Sequence, residues 1–173
     1  MARKALPILE KPFVDATICG PCGGECCRYY PGIASPEDFG APDVDVMRSR
    51  LNEALTSGRW AVDWWEGDPR PYDERGDDGA DDYRSSSEFI RPAMKGHEGQ
   101  LSHAGWSGPC TFFTEGKGCA LEHDARPRNC RGLIPMVGAS CAEKDVSKVD
   151  YVRAWEPYLD LIASVLSEVR RAA

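Results

Sequence analysis

The sequence lacks any apolar run near the roughly 20 residues that a membrane-spanning helix needs, so no membrane segment is expected. Basic charge is in deficit: 21 Lys and Arg stand against 28 Asp and Glu, for a formal net charge of −7. Phosphate recognition needs clustered Lys and Arg, so no nucleic-acid partner is expected. Histidine is scarce, with only His97, His103 and His123. There is no Ser/His/Asp order, no phosphate loop and no dinucleotide-binding glycine motif. The opening segment carries Arg3 and Lys4, but Pro7, Glu10, Lys11 and Pro12 interrupt any hydrophobic stretch. No signal peptide is expected, and the expected location is the cytoplasm.

What is present is a chain of 173 residues, 42% hydrophobic and 28% charged. That is enough to bury one core, so a single domain over 1–173 is expected. The unusual feature is eight cysteines. Disulfides rarely persist in a reducing cytoplasm. Metal ligation is therefore the expected use, and four disulfides are the alternative for a secreted chain.

Local patterns predict the elements. Residues 1–18 read as an extended lead-in. Ser35-Pro-Glu-Asp38 carries a helix-start signature that Gly40 ends after about one turn. A helix is predicted over 44–57, capped by Asp43, with Val44, Met47, Leu51 and Leu55 on one face. Trp60–Trp65 and Glu88–Arg91 suit strands, the second stopped by Pro92. Residues 73–87 are acidic, lack the EF-hand spacing, and read as a solvated loop. Residues 93–109 also read as loop. Asp63, Glu66 and Asp68 beside Trp64 and Trp65 suggest an acidic pocket rim. The stretch 148–171 is expected to be helical, started by Ser147-Lys-Val-Asp150 and broken at Pro157. Beyond the proline, Tyr158, Leu161, Ile162, Val165, Leu166 and Val169 form one apolar stripe, for the core or for a protein partner.

The cysteines fall into two sets. Cys19, Cys22, Cys26 and Cys27 lie within nine residues, among Gly20, Gly23, Gly24 and Gly32. Such glycine density suits a tight loop that brings backbone amides close to a ligand. Cys110, Cys119, Cys130 and Cys141 follow at intervals of 9, 11 and 11 residues, without a repeat. Thiolates are soft ligands that select zinc, iron–sulfur clusters or Cu(I). Structural zinc usually uses two separated Cys-x2-Cys knuckles, and this chain has one. Three close cysteines with a remote fourth are more like cluster ligation, with Pro near the last cysteine. Pro109 precedes Cys110, and Pro127 lies three residues before Cys130. An iron–sulfur cluster is thus favoured slightly over Zn2+, with one centre or two. Adjacent side chains on extended backbone point apart. Cys26 and Cys27 are accordingly expected to serve different centres, or one to ligate while the other stands by.

Arg126, Arg128 and Arg131 surround Cys130. They are candidates for cofactor binding, offsetting the charge of a four-thiolate centre, or for holding an anionic substrate. His123, between Cys119 and Cys130, is a further candidate ligand. No catalytic residue is identified.

These motifs together resemble the CxxCxxCC family of zinc- or iron-chelating proteins. The similarity lies in Cys19-x2-Cys22-x3-Cys26-Cys27, Cys110-Thr-Phe112, Cys119, and Arg126-Pro127-x2-Cys130-Arg131 with Pro135, and it covers about 19–141. The second gap is three residues, where the family name has two. The resemblance implies that all eight cysteines bind metal, in a cytoplasmic protein. Flagellin lysine N-methylases resemble the same family and are considerably longer.

The expectation is a small, loop-rich α+β domain organised around a cysteine-ligated metal centre, with a core over 19–141 and a C-terminal amphipathic helix over 148–171. Its expected role is a structural or redox metal-binding module. The alternatives are a metal-dependent modifying enzyme and a metal-stabilised component of a larger assembly.

Overall fold

Side-chain chemistry sets where the helices begin. A computed structural model describes residues 23–65, 87–103, 107–134, 142–143 and 148–172. Helix α1 (Glu25–Tyr29) follows Gly24, whose backbone is left-handed. A 3-10 turn over Pro36–Phe39 follows Ser35, whose amide donates to the Asp38 carboxylate at 2.9 Å. Gly40, at φ +102°, ends it. Asp43 accepts the amides of Asp45 and Val46, both at 3.1 Å, and starts α2 (Val44–Thr56). The Asp43 cap and the Gly40 stop are those read from the sequence, whereas α1 was not foreseen.

The main sheet has β1 (Trp60–Trp65) at its centre. Strand β2 (Ser87–Pro92) pairs antiparallel along its whole length, from Trp60↔Pro92 to Trp65↔Ser87. Pro92 was expected to stop this strand and instead occupies its last paired position. The short β3 (Ser102–His103) runs parallel on the other side of β1. Residues 93–109, expected as loop, thus contribute a strand, and Met94 also bridges to Cys110. Two small hairpins follow: β4 (Phe113–Thr114) with β5 (Gly118–Cys119), and β6 (Leu133–Ile134) with β7 (Ala142–Glu143). Between them lie a 3-10 turn (His123–Ala125) and α3 (Arg128–Arg131).

Pro157 breaks the C-terminal helix as expected. It divides α4 (Lys148–Arg153) and a 3-10 turn (Glu156–Tyr158) from α5 (Leu159–Ala172). Five residues of the α5 stripe, Leu161, Ile162, Val165, Leu166 and Val169, are buried in the main core. Each such aliphatic burial contributes about 1.5–3 kcal/mol. Across from them α2 buries Met47, Leu51 and Leu55, while Val44, expected on the same face, is 48% exposed. Arg48 fastens the two helices, donating to Glu168 at 2.6 Å and Ser164 at 2.9 Å. Trp155 is fully buried and donates its indole N–H to the Ala34 carbonyl at 2.8 Å.

A second, smaller core contains Cys27, Cys110, Phe112 and Phe113. Trp60 joins the two cores, standing edge-on to Phe39 at 5.4 Å and tilted on Phe112 at 5.8 Å. The arrangement is α+β with a C-terminal helix. Among the described residues no helix is long and apolar enough to cross a membrane. The expected lead-in over 1–18 and all but the last residue of the expected loop 73–87 lie outside the described residues; that last residue, Ser87, begins β2 instead.

Candidate metal centre

Five cysteines fall in the described residues: Cys26, Cys27, Cys110, Cys119 and Cys130. Cys19, Cys22 and Cys141 lie outside them. The five come from three segments, namely α1, the stretch 110–119 that ends in the β4–β5 hairpin, and α3. Backbone hydrogen bonds staple these segments together. The Cys110 amide donates to the Cys27 carbonyl at 2.8 Å, and the Gly108 amide to Tyr29 at 2.9 Å. Phe113 pairs with Cys119 across the hairpin. The Asn129 amide donates to the Ile33 carbonyl at 3.3 Å, which holds α3 against the chain leaving α1.

The vicinal pair corrects the expectation of opposed side chains. Cys26 and Cys27 sit on a helix, not on extended backbone, because Gly24 turns the chain and accepts the Cys27 amide at 2.9 Å. Their sulfurs lie 3.9 Å apart, with Cys26 exposed and Cys27 buried. Two thiolates on one tetrahedral ion with bonds of ~2.3 Å stand about 3.8 Å apart. The spacing of this pair therefore suits a shared ion.

The other sulfurs accept hydrogen bonds from backbone amides. The Phe112 amide donates to Cys110 Sγ at 3.4 Å. The Leu121 amide does the same for Cys119, again from two residues downstream. The Gly32 amide serves Cys130, and a β-carbon at position 32 would overlap that sulfur. The glycine-rich loop thus brings an amide to a sulfur, as the composition suggested. Such N–H donors stabilise thiolate over thiol.

Proton sharing organises three of the sulfurs. Cys27 lies within hydrogen-bond reach of both Cys26 and Cys119. Its contacts are the largest cause that brings Cys26 down to about 7 and Cys119 down to about 6. Cys27 itself is pushed far up, first by its bond to Cys119 and then by that to Cys26. Burial raises Cys110 to about 11 and also pushes Cys130 up. Cys27 is thus the sulfur of the three that holds its proton most firmly, beside two that give theirs up readily, a set of soft donors.

Alkylation reads this order directly. In chelator-treated protein, iodoacetamide should label Cys26 first, since it is exposed and its thiolate persists down to about pH 7. Cys110 should resist labelling throughout the neutral range. Peptide mass spectrometry over a pH series checks this, and labelling of Cys110 ahead of Cys26 would contradict it.

The arginines divide. Arg126 donates Nε to the Leu121 carbonyl at 3.1 Å, and its guanidinium also bonds the Cys119 sulfur. Arg131 donates to the Asp38 carboxylate at 2.6 Å and to the carbonyls of Asp124 and Arg126. Arg128 lies 3.4 Å from Glu37. Of the three, Arg126 is the one on a sulfur. His123, the candidate ligand, holds its Nδ1 3.2 Å from Asp124 Oδ1.

Sequence reasoning missed two further cations. Arg59 lies over the Phe112 ring at 4.0 Å, and Arg91 over the Tyr30 ring at 5.3 Å. Both charges favour the Cys110 thiolate. Arg91 is completely buried and pairs at 2.6 Å with Asp63, also completely buried. Asp63 is therefore no part of an exposed acidic rim, and Glu66 and Asp68 lie outside the described residues. A hint existed in Asp63, a charged residue inside an otherwise apolar strand.

Among the described residues no group of three or more Cys, His, Asp or Glu side chains is arranged to hold a metal ion. Comparisons with protein-family models, curated proteins and solved structures find no match.

Proposed function

We propose that the chain is a cysteine-cluster metal-binding protein, a structural or redox module in which thiolates hold an iron–sulfur cluster or zinc. The observation that supports this reading is that two segments share sulfur contacts: Cys26 and Cys27 of α1 and Cys119 of the β4–β5 hairpin are linked through Cys27. Cys26, Cys27 and Cys119 share hydrogen bonds, and backbone amides point at Cys110, Cys119 and Cys130. Amides on sulfur serve a thiolate and offer little to a thiol, so the surroundings favour the charged form a metal needs. Arg59, Arg91 and Arg126 supply positive charge around the same sulfurs. They would offset the negative charge that four thiolates give a centre. The resemblance to the CxxCxxCC family points the same way, and would add Cys19, Cys22 and Cys141 as ligands in a cytoplasmic protein.

Metal analysis of anaerobically purified protein is the test. Stoichiometric iron with visible charge-transfer absorption is expected for a cluster, and stoichiometric zinc without colour for the alternative. Cys27→Ser combined with Cys119→Ser should remove most of the metal, because Cys27 and Cys119 join two of the three segments. Wild-type protein without iron or zinc, or full metal retention in the double variant, would overturn the reading.

A further inference from the structure

Cys27 touches two other sulfurs, that of Cys26 on its own helix and that of Cys119 on β5. Backbone geometry separates the two contacts. Consecutive Cα atoms across a trans peptide stand about 3.8 Å apart, while a disulfide usually needs roughly 4.4–6.8 Å between its Cα atoms. Cys26 and Cys27 are adjacent on α1, so their sulfurs, 3.9 Å apart, cannot close into a bond without breaking the helix.

Cys119 stands on a different segment and escapes that constraint. Helix α1 and β5 approach to backbone contact, since a β-carbon on Gly24 would lie 2.5 Å from Gly118 Cα. The Cys110 amide bonds the Cys27 carbonyl, and Phe113 pairs with Cys119, which holds the two segments in register. Access differs as well. Cys27 is buried in the small core, Cys119 is half-buried and Cys26 is exposed. A small oxidant from solvent therefore meets Cys119 before Cys27.

We propose that Cys27 and Cys119 are a redox pair, closed by hydrogen peroxide or another hydroperoxide into a disulfide that joins α1 to β5, with Cys26 left as a thiol. The Cys119 sulfur attacks one peroxide oxygen, the O–O bond breaks, and the other oxygen leaves as water with the thiol proton. The Cys27 sulfur then displaces the remaining oxygen from the sulfenic acid, the S–S bond forms, and that oxygen leaves as a second water. Two thiols and one hydrogen peroxide thus give one disulfide and two waters. Where these sulfurs hold metal, as the proposed function has it, the disulfide withdraws two ligands, so oxidation releases metal.

The test adds hydrogen peroxide to the full chain, both as purified and after chelation. Remaining thiols are capped with N-ethylmaleimide, and tryptic peptides are mapped by mass spectrometry. The chelated protein should yield one main cross-link, reversed by dithiothreitol, between the peptide of Cys26 and Cys27 and that of Cys119. Fragmentation of the wild-type peptide should place the bridge on Cys27. Cys26→Ser should form it as the wild type does, and Cys119→Ser should lose it without gaining a Cys26–Cys27 bridge. A Cys26–Cys27 or Cys26–Cys119 disulfide as the main product, a bridge to any other cysteine, or no bridge at all would overturn the proposal, and the wild-type map decides this without any variant having to fold. In protein that holds metal, release should rise in step with the cross-link, and full retention at complete cross-linking would overturn the coupling. Protein purified without iron or zinc that still forms the cross-link would sink the metal reading alone.

Discussion

Asp63→Ala should destabilise the protein by about 3–5 kcal/mol, the usual cost of leaving one member of a buried ion pair uncompensated. Both side chains of the Asp63–Arg91 pair are completely buried, with Nε and Oδ2 2.6 Å apart. Asp63 also accepts the Trp64 amide at 2.8 Å, so its loss strands a backbone donor as well. The residues lie on β1 and β2, where Asp63 faces Phe89 and Arg91 faces Ala61. The pair therefore ties the two strands diagonally. Replacing both at once, Asp63→Leu with Arg91→Met, should recover most of the loss, because no charge is then left buried. Urea denaturation of the three proteins measures this. A double variant no more stable than Asp63→Ala would show that the ionic geometry itself is needed. Arg91→Met should have a second effect. It removes a cation that favours the Cys110 thiolate, so Cys110 should become still slower to alkylate.

Gly24→Ala should cost about 2–5 kcal/mol. Two terms add: left-handed backbone at a residue with a side chain, about 1–2 kcal/mol, and overpacking, about 1–3 kcal/mol. Gly24 has φ +89°, and a β-carbon there would lie 2.5 Å from Gly118 Cα and 3.1 Å from the Phe113 ring. The first neighbour is backbone and cannot swing aside. Gly96→Ala is the matched control, since its φ is +82° and nothing lies within 4 Å of the new carbon. It should cost only the conformational term. Comparable melting temperatures for the two variants would remove the close approach of α1 to β5 as a determinant of stability. Because that approach brings Cys26 and Cys27 toward Cys119, the proposed metal-binding function adds a second expectation: Gly24→Ala should release any bound metal sooner than Gly96→Ala.

The elements legible in the sequence are those whose cause is local. Asp43, the 3.6-residue spacing of Met47, Leu51 and Leu55, and Gly58 define α2 without any distant contact. Pro157 divides the C-terminal helix because it lacks an amide, wherever that helix packs. The partial failures also have causes. Val44 satisfies the periodicity of α2 but lies at its first turn, beyond the reach of the core. Cys26 and Cys27 looked opposed only on the assumption of extended backbone. Gly24, through its left-handed turn and the bond it accepts from Cys27, makes that segment helical. Five residues do not show a helical period, so the sequence carried little sign of it.

By itself the sequence determined that the chain carries eight soft thiol donors, that Arg126, Arg128 and Arg131 cluster at Cys130, and where the long helices start and break. Residue type and short spacing suffice for each. Which partners meet was decided only by the tertiary structure. Asp63 finds Arg91 across 28 residues, Cys27 finds Cys110 through a backbone bond, and Arg126 rather than Arg131 reaches a sulfur. Spacing along the chain says nothing about such pairs. They form because β1 aligns with β2, and because small glycines let α1, the β4–β5 hairpin and α3 approach to backbone contact, which puts sulfur, guanidinium and indole within reach of one another.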